Sequence, residues 1–324
     1  MELIKVDKIS KKFGTNSVLT DISFSLEKGE FGCLLGSSGS GKSTLLRIIA
    51  GLEVPDHGNV LIENQLLSGS NLFVKPEKRN IGMIFQDYAL FPHLTIEQNI
   101  YFGTSKANST NDAIKKLITV LGLNDLLKRY PHQISGGQQQ RAAIARTLAV
   151  NPKIILMDEP FSNLDEWMKE DVRDELKKIL KELNATVLFV THHATDALSF
   201  ADKIMVMDNG KLIQTGTAIS IIDNPINSKI AGIFGKVNLF SSTELKSLFE
   251  IEKSQGNYFV RPEHFEMLPN GNWNVTDCIY HGNYFDTNLV NANRMIHVHL
   301  PKSVDKNVSI GIKPIDKKIH LEQV

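Results

Sequence analysis

Short apolar runs rich in Ile, Val, Leu and Met recur at Phe31–Leu35, Ile81–Phe85, Lys153–Met157, Thr186–Val190 and Lys203–Met207. Unbroken runs of this length suit strands covered on both faces of a parallel sheet. Helical periodicity fills the gaps between them. Ser43–Ala50 has helical character, and Val172, Leu176, Ile179, Leu180 and Leu183 fall on one helical face with charges opposite. Near the N-terminus Ile22, Phe24 and Leu26 alternate with Ser23 and Ser25, the pattern of a half-exposed strand in an antiparallel layer. The texture changes between Asn224 and Gly235, where Pro225 and Gly232 punctuate the chain. Beyond that point helical patterns become rare. Short alternating segments separated by Gly, Asn and Pro predict a small all-β barrel. The pattern therefore predicts an α/β domain over residues 1–234 and a small β domain over 235–324. No internal repeat or low-complexity tract interrupts either one.

Composition agrees with two folded domains. The chain has 324 residues, 42% hydrophobic and 22% charged, which excludes disordered and collagen-like classes. Thirty-six basic residues balance thirty-six acidic ones, and the stretch from Gly235 onward carries ten of each. No global positive field favours nucleic acid or an anionic membrane. Two cysteines, Cys33 and Cys278, are too few for a disulfide framework and read as buried thiols in a reducing compartment. No apolar run approaches the ~20 residues that span a bilayer, and the opening MELIKVDKIS lacks the apolar centre of a signal peptide. The expectation is a cytosolic chain that does not itself cross a membrane.

The chemistry concentrates in three places. Gly36, Ser37, Ser38, Gly39, Ser40, Gly41, Lys42, Ser43 and Thr44 match G-x-x-x-x-G-K-[ST], after a predicted strand and opening a predicted helix. Glycines let the backbone wrap so that successive N–H groups face one concavity, and the helix adds its positive end. Lys42 is a point charge for β- and γ-phosphates, and the Ser43 hydroxyl is a hard ligand suited to Mg²⁺. A chance match in a chain this long has odds of roughly one in a hundred. Second, the run Ile154–Met157 ends in Asp158 and Glu159, at a strand end where open parallel sheets hold ligands. Asp158 would support Mg²⁺ and Glu159 would orient and polarise a water. Such a pair alone is as often a solvated acidic turn; beside a phosphate loop the functional reading dominates. Third, Thr191-His192-His193 follows another apolar run, where an imidazole can donate to a γ-phosphate oxygen.

Ile134-Ser135-Gly136-Gly137-Gln138-Gln139-Gln140-Arg141 resembles the signature motif of ATP-binding cassette proteins, with Ile134 where Leu is usual. Other family elements follow in order. Phe13 resembles the aromatic that stacks on adenine. Gln86, in IGMIFQDYALFPHLT, matches the glutamine-loop residue. Ser162-Asn163-Leu164-Asp165 resembles the D-loop, and His192 matches the switch histidine, followed here by His193 where Asp is common. The resemblance covers roughly residues 1–230. It implies a parallel-sheet core, an antiparallel layer and a helical subdomain near 87–150. It implies ATP and Mg²⁺, the latter held by Ser43, Gln86 and Asp158, with Lys42, Glu159 and His192 in catalysis. It also implies a head-to-tail homodimer. In it Ser135, Gly136, Gly137 and Gln138 of one chain reach the ATP of the other, and Asp165 lies at the interface. One copy of each motif per chain makes such an interface isologous. Tyr88, Leu90 and Phe91 would form part of a groove for membrane permease subunits, or would be ordinary core.

Asn257-Tyr-Phe-Val-Arg261-Pro262-Glu263-His264 resembles a stretch in the C-terminal barrel of importer cassettes, a regulatory or dimer-stabilising module of oligonucleotide-binding-type topology. Nucleic-acid binding is not implied, since the segment has no basic surplus. His297-x-His299 permits a metal pair, but a half-exposed strand face is the better reading. The function implied is the ATPase subunit of an importer. It would sit peripherally on the cytoplasmic face of the inner membrane, with permease subunits and a solute-binding protein. The wording of FQDYALFPHLT and EPFSNLD is most similar to the ferric-iron group, with polyamine and other small-solute importers next. A non-transport or exporter cassette is the alternative.

Overall fold

The computed structural model describes residues 1–104, 112–162 and 166–322, the side chains of 166–168 excepted. It has two compact units, Met1–Ala218 and Ile219–Val324.

In the first unit β1 (Glu2–Phe13) turns at Gly14 into β2 (Asn16–Glu27), its antiparallel partner. Then come β3 (Phe31–Leu35), α1 (Lys42–Ala50), β4 (His57–Ile62), β5 (Gln65–Gly69), β6 (Leu72–Phe73) and β7 (Ile81–Ile84). Three helices follow: α2 (Ile96–Tyr101), α3 (Asp112–Val120) and α4 (Gly136–Ala149). The unit closes with β8 (Ile154–Asp158), α5 (Glu166–Glu182), β9 (Val187–Thr191), α6 (Ala194–Phe200), β10 (Lys203–Asp208) and β11 (Lys211–Gly216). A five-stranded sheet runs β2-β1-β4-β5-β6. A six-stranded sheet runs β11-β10-β3-β9-β8-β7, parallel except for β11.

The parallel strands are buried on both faces, as their unbroken apolar runs require. Leu34, Ile154, Leu156, Leu188, Val190, Met205 and Met207 point into one cluster with Leu45, Leu46, Ile48 and Ile49 of α1 and with Ile4, Val6, Ile22 and Leu26 of the antiparallel layer. Helix α1 is thus held between the two sheets. On the opposite face Phe31, Phe161 and Phe189 pack their rings around Phe200. The apolar stripe of α5 is buried at Val172, Leu176, Ile179 and Leu180, whereas Leu183 lies past the helix end and is exposed.

Arg79 anchors the base of α1. Its guanidinium is fully buried and donates to the carbonyls of Ile48 and Ile49 (2.9 Å each), Val74 (2.7 Å) and Leu67 (3.4 Å) and to Ser68 Oγ (2.7 Å). These include carbonyls that a helix C-terminus leaves without partners. Gly51 ends the helix at φ 81°, and a Cβ there would come within 2.3 Å of Arg79 Nε. Desolvation lowers the Arg79 pKa to about 10.

The second unit comprises α7 (Ala218–Asp223), α8 (Ser228–Ile233), β12 (Asn238–Ser241), α9 (Ser242–Phe249), β13 (Asn257–Val260), β14 (Phe265–Tyr280), β15 (Phe285–Asn291), β16 (Arg294–Leu300), β17 (Ser309–Pro314) and β18 (His320–Leu321). Its strands form two antiparallel sheets, β12-β13-β18 and β16-β15-β14-β17, around one core of Phe240, Tyr258, Trp273, Val275, Leu289, Ile296 and Val298. The chain divides after Ala218 rather than at the expected 234/235. The reason is that α7 and α8 are tied to the end of the β region. Ser228 donates through its N–H and Oγ to the Glu322 carboxylate at 2.8 Å each, and Lys318 reaches Asp223 at 3.2 Å. Helix α9 is an element the β expectation did not include. Its signal is a capping box, Ser241 with Glu244. His297 sits 2.6 Å from Asn288 Oδ1, and His299 stacks on Tyr284 at 4.0 Å.

Candidate nucleotide site

Strand register assembles the site. Leu35 pairs with Thr191, and Val190 with Asp158, while Met157 pairs with Ile84. The C-terminal ends of β3, β9, β8 and β7 therefore lie side by side. They carry, in that order, the phosphate loop, His192, the Asp158–Glu159 pair and Gln86. This is the edge of an open parallel sheet at which ligands bind.

The loop Gly36–Gly41 runs from β3 into α1, with Gly41 as N-cap at φ 98°. A side chain there would strain the backbone and would strike Val18 O at 2.8 Å. No side chain caps the helix, so its first N–H groups are left for a ligand. Lys42 is buried and folds over its own loop. Its Nζ donates to Gly36 O (2.8 Å), Ser37 O (2.9 Å) and Ser40 Oγ (3.4 Å). Burial lowers its pKa, against the raising pull of Glu159, Cys33 and Asp158.

Ser43 Oγ donates to Asp158 Oδ1 at 3.0 Å. Burial raises the Asp158 pKa, with the Ser43 hydrogen bond and Arg47 and Lys42 acting the other way. Two hard oxygens thus meet beside a carboxylate that lacks full charge compensation, which is what a divalent cation supplies. Among the described residues no group of three or more His, Cys, Asp and Glu side chains could hold a metal. A cation here would lean on phosphate oxygens and water, as Mg²⁺ does.

Glu159 begins the turn after β8 at φ 46°, a left-handed conformation that non-glycine residues adopt at a cost. Its carbonyl accepts from Ser162 Oγ (2.9 Å) and Ser162 N–H (3.2 Å), and its carboxylate meets His192 Nδ1 at 2.9 Å. The His192 ring lies 4.0 Å from that of His193. His193 is set in turn by its N–H on Thr191 Oγ1 (3.0 Å). Thr191 donates to Asp196 (3.2 Å), which is paired with Arg173 (3.0 Å).

Phe13 is exposed at the end of β1, with Lys11 Nζ 5.0 Å from its ring centroid. Gln86 is exposed in the turn after β7. Ser135 is the exposed N-cap of α4 and forms a capping box with Gln138, accepting from its N–H at 3.4 Å while Gln138 Oε1 takes the Ser135 N–H at 3.0 Å. No side-chain hydrogen bond joins Ser135–Gln138 to the phosphate loop among the described residues. Tyr88 is buried, and desolvation pushes its phenol up to about 12, whereas Leu90 and Phe91 are half-buried. Asp165 lies outside the described residues. Sequence reasoning missed Arg79, Asn99 and Arg146, and it placed Gln140 in the signature run without its contact to the turn at Glu159. Gln140 of α4 is buried and donates to Pro160 O at 3.1 Å, next to Glu159. A lone polar residue on a helical face gives no signal of the carbonyl it will meet.

The family pattern described as ABC transporter matches residues 19–162. The chain is 44% identical over 82% of its length to a sulfate/thiosulfate import ATP-binding protein of Synechocystis sp., covering 77% of that protein. It is 38% identical to an Fe(3+) ions import ATP-binding protein of Haemophilus influenzae, over 82% of this chain and 80% of that one. A sulfate/thiosulfate import ATP-binding protein of Mesostigma viride is 35% identical over 98% of this chain and 95% of its own. Among solved structures, CbiO1 from Clostridium perfringens superposes with a TM-score of 0.63 at 26% identity, covering 69% of this chain and 91% of that one. An ATP-binding cassette in its ADP conformation gives 0.61 at 28% identity, covering 72% and 98%. The chain belongs to the ATP-binding cassette family, and it is an ATPase that couples hydrolysis to transport.

Proposed function

We propose that this chain is the ATP-hydrolysing subunit of an importer, driving uptake of a small inorganic ion through separate membrane permease subunits. The observation that carries the reading is the row of strand ends holding Lys42 and Ser43, His192, Asp158 and Glu159, and Gln86, with His192 on Glu159 at 2.9 Å. In this reading the adenine stacks on Phe13, and the phosphates take the amides of Gly36–Thr44. Lys42 leaves its loop carbonyls for the β- and γ-phosphates, exchanging neutral acceptors for charged ones. Glu159 polarises a water. That water's oxygen attacks the γ-phosphorus as the bond to the bridging oxygen breaks and ADP departs. His192 Nδ1 steadies Glu159, leaving Nε2 for a γ-phosphate oxygen. Mg²⁺, held by Ser43 and Asp158 with Gln86 beside it, would neutralise phosphate charge.

The second half of each site comes from another copy of the chain. Ser135, Gly136, Gly137 and Gln138 present a hydroxyl and helix N-terminal amides, the right donors for a γ-phosphate. A homodimer joined through two ATP molecules, with Asp165 at its interface, is closed by ATP and released on hydrolysis. The assembly works at the cytoplasmic face of the membrane and receives solute from a binding protein. The permease groove includes the segment after Gln86. No helix among the described residues is long and apolar enough to cross a membrane. The second unit serves regulation or dimer stability.

Two solutes compete. Motif wording favours ferric iron, and the Haemophilus relative imports Fe(3+) ions. The greater identity to the Synechocystis sulfate/thiosulfate protein favours an oxyanion. The test is uptake in cells lacking this chain, complemented with wild type or Glu159→Gln, using labelled ferric iron, sulfate, molybdate, spermidine and maltose. Return of one solute with wild type alone supports the importer reading and names the solute. If none returns while the purified protein hydrolyses ATP, the ferric-iron and sulfate assignments fall, and an untested solute, an exporter or a non-transport role becomes the reading to test.

A further inference from the structure

Phe13 is an apolar ring left about half exposed at the tip of the β1–β2 hairpin. A side chain in that place turns freely unless something holds it. Lys11 is the neighbour that does so. It lies two positions earlier on β1, with its Nζ over the ring, 5.0 Å from the centroid. Lys11 is buried, which lysines accept only when paired. Its ammonium donates to Val54 O at 2.7 Å, meets Glu53 Oε1 at 2.7 Å and lies 3.5 Å from Asp56 Oδ1. The hydrogen bond from Glu53 foremost holds the Lys11 pKa above the usual lysine value, against the lowering effect of burial. The cation is thus fixed in place by its acceptors rather than by its own flexible stem.

All three acceptors belong to the turn between α1 and β4. Asp56 adds two further ties to the same strand. Its second oxygen takes the Lys12 N–H at 2.7 Å, and its own N–H donates to Ser10 O at 2.9 Å. The turn is the exit of the helix whose start carries the phosphate loop. One buried ammonium therefore joins the strand end that bears Phe13 to the far end of that helix.

We propose that Lys11 is a positioning residue for the nucleotide base: it covers one face of the Phe13 ring and fixes the ring relative to the phosphate loop, so that the other face is ready for adenine. The inference rests on the reading above in which adenine stacks on Phe13, and it adds the group that orders the ring. A cation over an aromatic face is attracted by the ring quadrupole. A ring already ordered costs less entropy to bind than one that must be ordered on binding. The bond that breaks lies at the γ-phosphate, at the other end of the nucleotide. Loss of Lys11 should therefore cost affinity and not turnover.

The test compares the full chain with Lys11→Met, which removes the charge, and Lys11→Arg, which keeps it. ATP and inorganic tripolyphosphate, which has the phosphates and no base, are each titrated by calorimetry with Mg²⁺ present. Lys11→Met should weaken ATP binding and raise KM about fivefold, the size of a partly desolvated cation–π contact. Its kcat and its tripolyphosphate affinity should stay within about twofold of wild type. Lys11→Arg should stay within about twofold in every measurement. ATP affinity unchanged in Lys11→Met overturns the proposal. An equal loss for tripolyphosphate also overturns it, since that marks damage to the phosphate loop. So does a loss in Lys11→Arg as large as in Lys11→Met, which marks a packing fault. Phe13→Ala run in parallel separates the two claims. If it binds ATP as wild type does, the adenine reading fails. If it binds ATP more weakly while Lys11→Met does not, only the positioning inference fails. In the double variant, Lys11→Met should add less than about twofold to the loss from Phe13→Ala; full additivity overturns the proposal.

Discussion

The phosphate loop and the signature are both glycine- and serine-rich helix starts, yet they are built differently. Helix α1 begins at a left-handed glycine with no side-chain cap, and its lysine is buried beside Asp158 and Glu159. Helix α4 begins at an exposed serine with a complete capping box and no charged group in its first turn. An uncapped helix start lined by charges is a site in itself. A capped, neutral one is stable without a ligand and offers only donors. In the proposed dimer the first half would perform the chemistry, and the second would recognise whether a γ-phosphate is present.

Breaking the charged half should give the largest effects. Glu159→Gln should lower turnover about a thousandfold by removing the group that polarises water, with ATP binding retained; near-normal phosphate release would refute the assignment. Lys42→Ala should weaken ATP binding by roughly 2–3 kcal/mol, the size of lost charge-assisted hydrogen bonds, read by fluorescent nucleotide titration. On the neutral half, Ser135→Asp keeps a good N-cap but places a negative charge where a γ-phosphate would arrive. Turnover should fall about a hundredfold, while the melting temperature and single-chain ATP affinity hold. Unchanged turnover there would make the signature a structural cap and nothing more. Arg79→Lys should cost roughly 2 kcal/mol of stability by leaving buried carbonyls unpaired, seen in a urea titration, with KM for ATP within twofold. Ser135→Ala, losing the cap as well as the hydroxyl offered to a γ-phosphate, should cost about 1 kcal/mol of stability.

The same contrast governs what could be read in advance. The parallel strands were legible because strands buried on both faces must be unbroken apolar runs, and the phosphate loop because its glycines are a backbone requirement. The strand-end positions of His192 and Glu159 were legible too, but not that the imidazole meets the Glu159 carboxylate. What escaped was long-range polar satisfaction. Arg79 under α1, Arg146 on the segment after Gln86 and Gln140 on Pro160 O each bind backbone carbonyls distant in sequence, and Asn99 binds carbonyls four to eight residues before it. Carbonyls are common to every residue, so no side-chain pattern announces them. In the second unit, the β texture hid α9 because its eight residues are too few to outweigh the strands around them.

The central claim is that a working site takes its phosphate loop from one chain and its signature from another. Mixing two inactive chains, Lys42→Ala and Ser135→Asp, tests it most directly. A mixed dimer would hold one site with both halves intact, so equal amounts should recover about a quarter of wild-type ATP turnover. No recovery above the separate chains, under conditions where subunits exchange, would mean that each site is completed within one chain and would contradict the account.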